Sequence, residues 1–226
     1  MKNLKNILAI AMLAGAAVAH AQGANQSAFT AGGRQVLNIN NKSASVAGTM
    51  YTDENFLPAK LSTNTTTVLL RYNAYSDYFE MNNPQENVTK ALPKQPGVTV
   101  TFSATGQQYD YVTYHKNDDE FTGYLSVISD NPKVSIYKRE RIYLQEGTKS
   151  DNGYAVTKPS TYKKASDEFY AKVGNGPVQY FSNKKGFAKL FPEKSKQITE
   201  YIKQNSLDLE KTEDLQKLAD YTATLL

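Results

Sequence analysis

One alternation stands out among the residues able to do chemistry. Tyr137, Arg139, Arg141 and Tyr143 recur at every second position, so in an extended strand all four lie on one side. Guanidinium groups set between phenol rings either stack on one another across a sheet or form a strip that takes a ligand. Arg71 and Tyr75 share one side of an earlier run and join this candidate ligand-binding set.

A second cluster is acidic. Asp118, Asp119 and Glu120 are consecutive, and paired carboxylates serve glycoside hydrolysis or hold hard cations. Adjacent loop residues point in different directions, however, and acids are ordinary in turns, so a solvated turn is the plain reading. The catalytic alternative needs one of the three to meet Asp77 or Glu80, which would make a carboxylate-dependent, glycan-acting enzyme. A third stretch, Lys158 to Lys203, carries ten Lys against four acids, interleaved with Tyr162, Phe169, Tyr170, Tyr180, Phe181, Phe187 and Phe191. It reads either as a core of rings under snorkelling lysines or as a surface for an anionic polymer or a membrane.

Other chemistries are excluded by composition. With no Cys there is no disulfide framework, thiolate metal site or thiol nucleophile. His20 and His115 are the two histidines, too few for a zincin once the leader is removed, and no Gly-x-Ser-x-Gly elbow gives His115 a serine partner. His115 ends the alternation Tyr109, Tyr111, Thr113, His115 and reads as a surface or sheet-edge imidazole. No glycine-rich phosphate loop occurs, and neither a cofactor nor a metal is called for.

The elements that position these residues are strands. Apolar runs of four to ten residues recur between turn-forming clusters at 46–51, 57–62, 66–81, 98–104, 108–115, 121–128, 133–145, 153–157 and 177–182. The cluster Ser129-Asp130-Asn131-Pro132 between two such runs predicts a hairpin. Beyond Asn183 the period becomes helical. Ile198, Tyr201 and Ile202 form one stripe, with Pro192 in a first turn and Asn205 as a stop. Thr212 caps a second helix whose stripe is Leu215, Leu218, Ala219 and Leu225. The expected fold is mainly β, an antiparallel meander or partly closed barrel, with a short helical C-terminal tail packed on the sheet. The divisions are 22–47, a flexible lead-in with one strand near Val36 to Ile39; 48–182, the β-rich domain; and 183–226, the helices.

Residues 1–21 combine Lys2 and Lys5, an apolar run from Ile7 to Val18, and Ala19-His20-Ala21. That is the pattern of a secretory signal peptide cut between Ala21 and Gln22, too short to span a bilayer. The net charge of +4 falls to 24 basic against 22 acidic side chains after cleavage, a balance that speaks for solubility rather than for any partner.

Gly48-Thr49-Met50-Tyr51, Phe56-Leu57-Pro58-Ala59-Lys60-Leu61 and Leu69 to Asp77 together resemble a group of uncharacterised secreted proteins of Bacteroidota. Lys184-Lys185 and Tyr201-Ile202-Lys203 are similar to the tails of that group, whereas the ending Tyr221 to Leu226 departs from its aromatic-Asn close. The resemblance implies a bacterial periplasmic or secreted setting and brings no activity. The sequence thus points to an exported, non-catalytic β-rich module that binds an unknown protein, glycan or apolar ligand. Nucleic acid is a poor fit for an exported chain, and no transmembrane segment is present.

Overall fold

The computed structural model describes residues 28–31, 34–37, 46–83, 85, 88–148 and 158–226. The expected leader, its Ala21/Gln22 cleavage point and the strand at 153–157 lie outside them.

The chain is mainly β. Strands β1 (Ala28–Ala31) and β2 (Arg34–Leu37) form an antiparallel hairpin within the lead-in. There follow β3 (Leu57–Leu61), β4 (Asn64–Asn73), β5 (Tyr78–Asn83), β6 (Val88–Ala91), β7 (Thr99–Phe102), β8 (Gln108–Lys116), β9 (Asp119–Asp130), β10 (Val134–Arg139), β11 (Ile142–Gln145), β12 (Thr161–Lys164), β13 (Glu168–Val173) and β14 (Val178–Phe181). Ten of them make one sheet in the order β14-β13-β10-β9-β8-β7-β3-β4-β5-β6. β14 also pairs in parallel with β8, through Val178 opposite Tyr114 and Gln179 opposite His115. That pairing closes β8, β9, β10, β13 and β14 into a five-stranded barrel, and the rest of the sheet runs on from β8 as a curl.

The two faces of the barrel strands explain their aromatic content, because neither face is left to solvent along most of their length. Inward-pointing Tyr114, Leu125, Tyr137, Tyr170 and Val178 fill the barrel. On the other face of β8 and β9, Tyr109 and Tyr124 meet Tyr72 and Phe79 of β4 and β5, which the curl brings across. The Phe79 and Tyr124 rings are 4.8 Å apart, edge to face. A bulge in β9 skips Ile128 and turns its side chain toward the helices.

The outer face of β10, β13 and β14 is covered by α1 (Lys184–Lys189), α2 (Ser195–Gln204) and α3 (Thr212–Thr224). Phe187, Ile198, Leu215, Leu218 and Ala219, essentially inaccessible, pack there on Val134, Ile136, Ala171 and Phe181. The stripes expected on α2 and α3 are the buried ones. α1 was not anticipated: Gly186 weakens its helical signal, but the Asn183 side chain accepts from the Gly186 N–H and caps it. Thr212 is the first helical residue of α3 rather than its cap.

Three further expectations are corrected. The run 66–81 is two strands, not one. The Asn73 side chain accepts from the Ser76 N–H, and Asp77 takes a left-handed φ of 55°; together they fold β5 back on β4. The run 133–145 breaks at Glu140 and Arg141, where the chain leaves the barrel to form a separate two-stranded ribbon, β11 with β12. The segment 46–51 contributes isolated bridges at Ala47 and Tyr51 rather than a strand. No helix among the described residues is long and apolar enough to cross a membrane.

Candidate functional site

The strand directions bring one set of charged residues together. The C-terminal ends of β8, β10 and β14 and the N-terminal ends of β9 and β13 all lie at the same end of the barrel. Lys116, Arg139 and Glu168 point inward there, one layer above the Tyr114 and Tyr170 rings. Glu168 sits directly opposite Arg139 in the β10–β13 register.

Glu168 is the hub. Its carboxylate accepts from Lys116 Nζ at 2.7 Å and Arg141 at 2.9 Å on Oε1. On Oε2 it accepts from the Tyr170 hydroxyl at 2.9 Å and Arg139 at 3.4 Å. Its side chain is 10% exposed, against 31% for Lys116, 25% for Arg139 and 44% for Arg141. Burial by itself would raise the Glu168 carboxyl, but hydrogen bonds from Lys116, Tyr170 and Arg141 and the charge of Lys116 outweigh it and hold it at about 2. Burial first, and Glu168 next, push the Tyr170 phenol above its ordinary value, so it stays a donor.

A second carboxylate packs against the body of β9 at Gly123. The Asp77 side chain accepts from the Tyr72 hydroxyl at 2.7 Å and the Tyr124 N–H at 3.1 Å, with Lys94 Nζ at 3.6 Å. Gly123, inward-facing on β9, makes room for it: a Cβ there would fall on Asp77 Oδ2. Gly123→Ala therefore moves Asp77 off its two donors, and the expected cost is about 1–2 kcal/mol, read as a lowered urea midpoint. A midpoint within error of the parent would mean that Asp77 shifts freely.

Lys116, Arg139 and Arg141 thus surround Glu168 at the barrel mouth, with Asp119 opposite Lys116 on the same face, while Lys94 and Asp77 pair with each other farther along β9. Aromatic faces line the mouth. Lys116 Nζ stands 4.9 Å from the Tyr180 ring centroid, Arg139 is 5.7 Å from that of Tyr114, and Phe121, 40% exposed, stacks on Tyr114. Beside the mouth, Lys138 pairs with Glu140 at 3.1 Å, and Lys164 with Asp167 at 3.5 Å, so those charges balance.

Because the Glu168 carboxyl is held below its ordinary value, the stability it contributes is complete above about pH 5. It is lost as the pH falls toward 2, and amounts to on the order of 2 kcal/mol. Urea unfolding of the parent and of Glu168→Gln should differ most at pH 6 and converge near pH 2.5. A pH-independent gap would show that the carboxylate charge is not what the cluster uses.

The structure separates the sequence-derived candidates. Arg139 and Arg141 meet at the mouth, joined by Lys116 and Glu168, which sequence reasoning missed because the pair is 52 positions apart. Tyr137 is buried inside the barrel, at 7% exposure, and is no part of a surface strip. Tyr143 is exposed on the β11–β12 ribbon, and Tyr75 packs edge-on against Tyr162 beside that ribbon. Arg71 is committed elsewhere. It lies between the Tyr51 and Phe56 rings at 3.8 and 4.3 Å and donates to the fully buried Glu80 at 2.6 and 2.8 Å, while the Tyr51 and Tyr78 hydroxyls complete the Glu80 shell.

The acids of the enzymatic alternative do not converge. Asp118, Asp119 and Glu120 are exposed at the β8–β9 turn, where Glu120 lies 3.8 Å from His115 on the opposite face of β9 from the Asp77 contact. Glu80 is sealed under Arg71. Among the described residues no three His, Cys, Asp or Glu side chains gather closely enough to hold a metal ion.

No protein-family model, curated protein or solved structure matches the chain.

Proposed function

We propose that this is an exported, non-catalytic binding module that takes an anionic group at the open end of its barrel. The observation that carries the reading is the grouping at the mouth: Lys116, Arg139 and Arg141 gather on the carboxylate of Glu168, the exposed Asp119 opposite Lys116 leaves them in excess, and Arg141 and Lys116 remain reachable from solvent. A carboxylate, sulfate or phosphate group approaching them meets forked donors over aromatic surface. The protonation states favour binding over catalysis, because Glu168 is driven away from the range useful to a general acid and the neighbouring phenols are held protonated. Export rests on the leader pattern of residues 1–21 and on the likeness to secreted proteins of Bacteroidota.

Calorimetric titration of the purified protein with glucuronate and with inorganic sulfate, at low salt, tests the binding half. Dissociation constants in the millimolar range or tighter are expected, weakened at least tenfold in Arg141→Ala, whose side chain is exposed enough to be dispensable for folding. No heat with either anion would overturn it. Intact-mass measurement of the exported chain tests the rest: a mature protein starting at Gln22 is expected, and retention of residues 1–21 would refute it.

A further inference from the structure

The mouth does not stand alone. Strand β14 ends there and its chain continues through Ser182 and Asn183 into α1, so the start of α1 and the α2–α3 connection flank the same end of the barrel. Between them lies a cleft of about 670 Å³, within the range of small-ligand sites. Phe169, Tyr180, Phe181 and Leu209 give it apolar surface. Its rim is polar and of both signs: Lys184 and Lys185 on one wall, and Asp208 and Glu210, from the α2–α3 connection, on the other. Lys184 and Lys185 are exposed, and neither is ion-paired among the described residues.

Two residues join cleft and mouth. Tyr180 lines the cleft and carries Lys116 over its ring at 4.9 Å. Asp167 lines the cleft and directly precedes Glu168. A ligand seated on Tyr180 therefore reaches the cationic mouth with its next unit.

We infer that cleft and mouth together hold a short oligosaccharide bearing a carboxylate: the acidic group at Lys116 and Arg141, and the following sugar rings against Tyr180 and Phe169, with the rim binding their hydroxyls. The chemistry selects this class. The C–H faces of a sugar ring pack on aromatic rings, while its hydroxyls both donate to Asp208 and Glu210 and accept from Lys184, Lys185 and the Asn183 amide. A polymer with a phosphate on every unit would bring charge against Asp208 and Glu210, where like charges repel. A lipid anion would leave those rim charges facing an acyl chain, uncompensated.

The inference rests on the mouth being an anion site, and the test keeps the two apart. The full protein is titrated with glucuronic acid, with a trisaccharide whose one carboxylate is a terminal glucuronate and whose other two sugars are neutral, and with the methyl ester of that trisaccharide, and is floated with vesicles containing one-third phosphatidylglycerol. The trisaccharide should bind at least tenfold more tightly than the monosaccharide or the ester. Arg141→Ala should weaken both acidic sugars, whereas Glu210→Ala and Lys185→Ala, both on exposed positions, should weaken only the trisaccharide, by about threefold to tenfold. If trisaccharide and monosaccharide bind equally while Arg141→Ala still weakens both, the cleft has no part and the inference falls with the mouth reading intact. Binding to vesicles without binding to the acidic trisaccharide overturns it as well.

Discussion

Glu168→Gln is expected to lower the stability by about 3 kcal/mol at neutral pH, because the substitution removes the one charge that Lys116, Arg139 and Arg141 share and leaves three cations facing one another over a half-dry barrel end. For a domain of this size that corresponds to a fall of roughly 6–12 °C in the unfolding midpoint. The amide keeps the volume and one acceptor, so packing is not the cause. The same substitution should sharpen the response to anions: sulfate at tens of millimolar should raise the midpoint of the variant by more than that of the parent, since it supplies the missing charge. A variant within 0.5 kcal/mol of the parent, or equally indifferent to sulfate, would show that the cations solvate themselves and that the mouth has no appetite for an anion.

Arg71→Ala is expected to cost still more, about 3–5 kcal/mol. Glu80 has no solvent exposure, and without Arg71 its charge keeps only the Tyr51 and Tyr78 hydroxyls. The substitution also opens the space between the Tyr51 and Phe56 rings. Pairing Arg71→Met with Glu80→Gln removes both charges, refills that space and should recover a large part of the loss. Urea denaturation of the two variants decides it: a double variant no more stable than Arg71→Ala would mean that shape, not the stranded charge, sets the cost.

These two clusters were unequally legible. The alternation that put Arg139 on one side with Arg141 is local, and so are the stripes of α2 and α3, because a period can be read wherever the chain is regular. The fold-back at Asn73 to Asp77 carries no Gly or Pro, and its signal was the subtler one of an Asn accepting from a backbone N–H and an Asp tolerating φ above zero. β13 was hidden inside a lysine-rich stretch whose charges masked its inward Glu168 and Tyr170. The mouth needed something no local pattern carries. Lys116 meets Glu168 only because β8 and β13 are both members of a closed barrel, and closure depends on a parallel pairing that sequence periodicity does not announce.

That pairing governs when the protein can become itself. Val178 and Tyr114 are sixty-four positions apart, and the entropy of joining them is spent before the barrel interior repays it. Antiparallel neighbours from β3 to β10 can form as each hairpin arrives, but the ring shuts only once β14 exists. In a chain emerging from its N-terminus, the strand edges of β8 and β13 stay open until that moment. The slowest phase of refolding should accordingly report on Tyr114 and Tyr180, the rings nearest the seam, and a chain cut before β14 should self-associate through those open edges rather than persist as a smaller barrel.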